Sequence, residues 1–141
     1  MVARNKLNLK RDLKNVTHEL VGLNRQLAQK MILLASQTGE TQPLFQAAEA
    51  LTSSQQLYPS DGAPRENAKL YQSLADASFG IGRMNKDMDA IALSVESYRS
   101  AITLASMIGD EGLRSNLKEK YTIARNFLHQ SSTDPSLVGV A

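Results

Sequence analysis

The sequence contains no cysteine and no tryptophan, and only seven aromatic residues and four prolines. Without thiols it can build neither a disulfide scaffold nor a thiolate zinc site. No run of about 18 apolar residues occurs, so no membrane-spanning helix is expected. The first ten residues carry positive charge with no apolar stretch behind it. A secretory leader is therefore not expected, and a cytoplasmic location is. Strand formers are scarce too: valine and isoleucine supply 12 residues, against 35 from leucine and alanine. Alanine and leucine lead the helix scale, so this imbalance predicts an all-α fold.

What is present fits one ordinary domain, because 141 residues lies near the usual length of a single folded unit, about 150 residues. The net charge of +2 hides an asymmetry. Residues 1–30 hold seven Lys or Arg against two acids, whereas residues 31–141 hold nine against twelve. A basic arm thus precedes a mildly acidic body, and such an arm on a helix is most simply its solvated face.

Five helices are expected. The first spans about residues 4–36, with leucines at Leu13, Leu20, Leu27 and Leu34 and with Val16 and Leu23 between them. This is a heptad seam. Lys30 interrupts it, and Thr17 and Asn24 stand where charges complementary to Asp12 and Glu19 would strengthen a coiled coil. The reading adopted is a long helix packed on its own neighbours. Gly39 and Pro43 suit the break that follows. The second helix runs from Leu44 to Leu57 and stops at the turn formers between Tyr58 and Pro64. The third carries Leu70, Leu74 and Ile81 and is expected to end near Gly80 and Gly82. The fourth, starting near Asn85, carries Ile91, Val95, Tyr98 and Ile102. The fifth, capped by Asp110, carries Leu113, Leu117, Tyr121, Ala124 and Leu128. Residues 131–141 lack periodicity and read as a flexible tail. The expected organisation is a basic extension over 1–20, a helical domain over 21–130 and the tail.

A shift of 47 residues aligns the first two helices with the next two. Leu27-Ala28 falls on Leu74-Ala75, Leu44 on Ile91, Ala47 on Ser94, Leu51 on Tyr98 and Ser54 on Ala101. Small residues meet small and large meet large, the alternation that lets helices cross closely. Ala47, Leu51, Ser54 and Pro59, with Ser94, Tyr98 and Ala101, carry the spacing of the second helix of a tetratricopeptide repeat. Leu27-Ala28 and Leu74-Ala75 carry the mark of its first helix. Over residues 25–128 the chain resembles this family, and most closely its longer bacterial variant. The resemblance implies an α-α solenoid of stacked antiparallel hairpins that binds a peptide or a partner helix. It implies partner-binding side chains on the first helix of each pair: Arg25, Gln29, Lys69, Gln72, Asp76 and Glu119.

No chemistry announces itself. His18 and His129 lie at opposite ends of the chain without ligand-spaced partners, so no metal is expected. Asp87 and Asp89 flank Met88, where acids favour a helix N-terminus. Gly80-Ile81-Gly82 follows a helix rather than a strand and does not read as a phosphate loop. Asn15-Val16-Thr17 fits a glycosylation sequon by chance. The expected function is a non-catalytic interaction scaffold without cofactors, its partner another protein or peptide. The alternative is an oligomerisation or nucleic-acid device built on the N-terminal helix, where Arg4, Lys6, Lys10, Arg11 and Lys14 precede the leucines as in basic zippers. That alternative includes a homodimer through this helix; nucleic acid is the less favoured partner.

Overall fold

The computed structural model describes residues 2–57 and 63–133, with side chains over 8–54 and 63–131. Five helices follow one another: α1 (Val2–Thr38), α2 (Gln42–Leu57), α3 (Pro64–Asn85), α4 (Met88–Met107) and α5 (Glu111–Thr133). Among the described residues there is no strand, and the fold is all-α. Pro59, which completes one of the family-like marks, lies outside the described residues, as do the side chains of Arg4 and Lys6.

Local chemistry ends the helices where the chain must reverse. Gly39 takes φ +73°, and its N–H reaches the Ala35 carbonyl at 2.7 Å. α4 closes on Gly109 at φ +71°. α3 does not stop at Gly80 or Gly82, as the sequence led us to expect. It continues to Asn85 and terminates on Lys86, a non-glycine residue at φ +53°, with the Asp87 N–H returning to the Gly82 carbonyl at 2.9 Å. The reason is packing. Gly82 lies against α4, where an added Cβ would stand 3.0 Å from Ile91 Cδ1 and 3.1 Å from Ala90 Cβ. Its missing side chain serves close approach within the helix instead of a stop. At the helix starts, Asp87 Oδ1 accepts the Ala90 N–H at 3.2 Å, and Asp110 Oδ1 accepts the Leu113 N–H at 3.0 Å. Each removes one orphan donor of the first turn.

The helices pack as consecutive antiparallel hairpins, α1 on α2 and α3 on α4, with α5 against α4. α1 and α3 also touch, and α5 lies alongside α3, tied by Arg65 to Asp110 at 2.8 Å and Asp76 to Lys120 at 3.3 Å. Phe79 meets Phe127 edge to face, with centroids 5.7 Å apart. The core is leucine and isoleucine set among alanine and serine. Leu44, Leu74, Ile91 and Leu117 are fully buried, and Ala28, Ala47, Ala75 and Ser94 seat them. The aromatics divide: Tyr71 and Tyr98 are buried, while Phe79 is half-buried. Burial raises the Tyr71 phenol, which bonds Thr52 of α2. It raises Tyr98 further, and the Asp76 carboxylate that accepts the Tyr98 hydroxyl adds to the effect.

At the 47-residue offset, Gly39 falls on Lys86, the two left-handed turn residues. Val21, Ala28 and Ala35 fall on Ala68, Ala75 and Gly82, all buried. Leu23, Leu27 and Leu34 break the correspondence: they are exposed, whereas Leu70, Leu74 and Ile81 are buried. α3 packs against the α1–α2 hairpin that precedes it.

Candidate functional site

Two surfaces stand out. The first is an open cleft of about 440 Å³ between α1 and α3, lined by Gly22, Arg25, Gln26 and Gln29 from one helix and Glu66, Lys69, Leu70 and Ser73 from the other. Both sets follow the i, i+3, i+4, i+7 spacing of a single helix face, so two ordinary helices laid side by side are enough to build it. Leu70 is the buried apolar element of the wall. Arg25 donates from Nη1 to Glu66 Oε2 at 2.9 Å, its side chain 19% exposed and that of Glu66 70%. Gln29 and Lys69 are exposed. The cleft therefore offers an amide and an ammonium to a ligand, beside a guanidinium already held in place by a carboxylate.

The six residues that the resemblance assigned to binding distribute as follows. Arg25, Gln29 and Lys69 come together in this cleft. Gln72 is half-buried further along α3 and is not among the lining residues. Asp76 is engaged within the fold, accepting from the Tyr98 hydroxyl and from Lys120 Nζ. Glu119 lies apart on α5, beside a shallow depression with Lys118, Thr122 and Ile123. Sequence reasoning missed Gln26, Glu66 and Ser73. The signal that would have found them is the helical spacing outward from Arg25 and Lys69.

The second surface is the heptad seam, and here the structure overturns the expectation that α1 packs its leucines on its own neighbours. Leu9, Leu13, Val16, Leu20, Leu23, Leu27 and Leu34 are all 43–60% exposed. α2 packs on α1, whose buried positions lie on a different face, with Ala28, Ile32 and Ala35 in one core cluster with Leu44, Ala47 and Leu51 of α2. Residues 8–20 contain no buried position at all. At 1.5 Å per residue the part of α1 before Val21 projects about 30 Å. Beside the seam, Asn24, Leu27 and Met31 of α1 and Gln46, Glu49, Ala50 and Ser53 of α2 line a groove of about 300 Å³. A contiguous apolar strip of this kind marks an interaction surface more often than a solvated one.

Elsewhere, His18 and His129 are exposed, and among the described residues no three His, Asp or Glu side chains are placed to hold a metal ion. No described helix is long and apolar enough to cross a membrane. Arg99 donates to the Tyr121 hydroxyl at 3.2 Å, which lowers that phenol's pKa. No protein-family model, curated protein or solved structure matches this chain.

Proposed function

We propose that the protein is a non-catalytic interaction scaffold of tetratricopeptide-like hairpins that binds a peptide or a partner helix in the cleft between α1 and α3. The observation that carries this reading is the convergence of Arg25, Gln29 and Lys69 on one cleft, on the first helix of each hairpin, the helix that the resemblance assigns to binding. The hairpin-on-hairpin contacts and the matching left-handed turns at Gly39 and Lys86 support it as well. Stacked hairpins present rigid, extended surfaces on which a ligand loses little to reorganisation of the receptor. A cytoplasmic location belongs to the same reading.

Selection from a displayed random-peptide library tests it. Peptides retained by the intact chain should bind at least tenfold more weakly to a Gln29→Ala, Lys69→Glu variant whose thermal melt is unchanged. Gln29 and Lys69 are the residues to change because both are exposed, whereas Gln72 is half-buried. Equal binding to both chains would overturn the cleft as the site. A second reading, self-association through α1, is favoured by the exposed seam.

A further inference from the structure

We infer that α1 pairs with α1 of a second copy of this chain, antiparallel, in a register where residue i meets residue 43 − i. The seam adjoins the α1–α3 cleft at Gln26 but none of its apolar positions lines that cleft, and its test is separate from the test of the cleft.

From Leu9 to Leu34 the seam positions are separated by 4, 3, 4, 3, 4, 3 and 4 residues, a series that reads the same in both directions. A reversed copy therefore meets it position for position. Leu9 faces Leu34 of the second copy, Val16 faces Leu27, and Leu20 faces Leu23, with the two-fold axis between Val21 and Gly22. Lys30, the one break in the seam, faces Leu13 of the second copy, over which its methylene stem can lie while its ammonium reaches water. The strip covers nearly four heptads, the length of a sustained coiled-coil seam.

Orientation follows from charge. In a parallel pair Lys30 would oppose Lys30, and Lys10, Arg11 and Lys14 would stand beside their own copies. In the antiparallel register Lys10 of one copy lies level with residue 33 of the other. The two Lys10 residues are then about 35 Å apart along the axis at 1.5 Å per residue, several times the ~8 Å screening length at physiological salt. Along the two edges of the seam, each residue also neighbours the same-edge residue two positions from the one level with it: Asp12 with Leu33, Glu19 with Gln26, Thr17 with Asn24 and Lys10 with Met31, with no like charges opposed. The same register lays the basic, projecting half of the second copy beside the groove between α1 and α2, where Glu49 waits on the α2 wall.

The second hairpin shows that this face accepts a helix. Leu23, Leu27 and Leu34 occupy the positions that in α3 are held by Leu70, Leu74 and Ile81, which are buried where a hairpin precedes them. The second copy supplies to α1 the cover that the first hairpin supplies to α3. It also covers about 20 projecting residues with an apolar stripe, and packing of such a face is the main source of helix stability in proteins.

Light scattering on the intact chain, from micromolar concentration upward, is the test. The expected mass is twice the 15.4 kDa of the chain. A Leu20→Lys, Leu23→Lys variant should be monomeric, with the same thermal melt for the hairpins, because neither side chain contributes to the core. The absence of native cysteine makes orientation readable. A Val16→Cys chain mixed with a Leu27→Cys chain should oxidise to a cross-linked heterodimer, whereas a Leu13→Cys chain alone should not cross-link to itself. A wild-type monomer, a double-lysine variant that stays dimeric, or self-cross-linking at Leu13→Cys would each overturn the proposal. So would a monomer that sediments with phosphatidylserine vesicles, which would assign the seam to a lipid surface.

Discussion

Gly80 and Gly82 stand two residues apart in α3 and serve different ends. A Cβ at Gly80 would meet nothing within 4 Å, whereas one at Gly82 would press on Ala90 Cβ and on the Asp87 carbonyl oxygen at 3.2 Å as well as on Ile91. The Ile91 side chain can rotate away, but the α4 backbone cannot move without opening the interface. Gly80→Ala should therefore stabilise the protein by roughly 0.5–1 kcal/mol, the helix-propensity difference between glycine and alanine. Gly82→Ala gains the same propensity but meets an overpacking cost of about 1–3 kcal/mol, and should be net destabilising. Urea midpoints measured at constant slope separate the two. Equal stabilisation by both would mean that α3 and α4 are free to separate at this crossing. A similar economy of atoms appears at Tyr98, whose ring fills the core while its hydroxyl reaches Asp76, which Lys120 also contacts. The phenol's apolar body and polar tip allow this, and the Asp76 carboxylate of α3, accepting from Tyr98 of α4 and Lys120 of α5, links three helices.

Elements end on chemistry that is local and mostly visible in the chain. Asp87 and Asp110 are helix caps because each carboxylate can accept a first-turn N–H, and their placement before an apolar-periodic segment is what made Asp110 readable. Lys86 was not readable. It holds φ +53° because α3 must end one residue before the Asp87 cap, and no side-chain property of lysine favours that conformation. For an L-residue the left-handed region costs roughly 1–2 kcal/mol, which glycine does not incur. Lys86→Gly should thus stabilise the chain by about 1 kcal/mol, visible as a higher urea midpoint; no change would show that the turn relaxes to negative φ. The same contrast explains how far the fold could be read. Helix number, most boundaries and the small-to-large alternation follow from periodicity and turn formers, because these act within a few residues. The length of α3 did not, because Gly82 is used for a contact with α4, a tertiary demand that residue type alone does not reveal. The seam of α1 was seen as a heptad but assigned to internal packing. Periodicity gives a helix an apolar face without saying what lies against it, and the neighbouring face, with Ala28, Ile32 and Ala35, turned out to join the core cluster that holds Leu44 and Leu51 of α2.

For the molecule as a whole, function depends on which helix faces meet, and this is where the candidate site was only half legible. Arg25, Gln29 and Lys69 converge because α1 and α3 lie side by side, whereas Asp76 and Glu119 diverge because α5 draws Asp76 into a contact with Lys120 and carries Glu119 to another face. The attachment of α5 yields a prediction in pH. Asp110 caps α5 through Leu113 and also accepts from Arg65 at the start of α3. The Leu113 N–H first, and the Arg65 hydrogen bond next, hold its carboxyl below the usual aspartate range. A carboxyl depressed in the folded state binds its proton more readily after unfolding, so its contribution is complete above the unfolded value near ~3.9 and is lost as the pH falls through the lower folded value. Asp110→Asn keeps an oxygen for the Leu113 N–H, since asparagine caps about as well as aspartate, but removes the charge that Arg65 meets. The variant should therefore be less stable than wild type at neutral pH, and the gap should narrow as the pH falls from about 5 toward 2, both carboxyl states then being neutral. Urea unfolding of both chains across that range checks it. A gap that does not change with pH would place the effect of the substitution in the cap geometry and leave the tie between α3 and α5 without an electrostatic component.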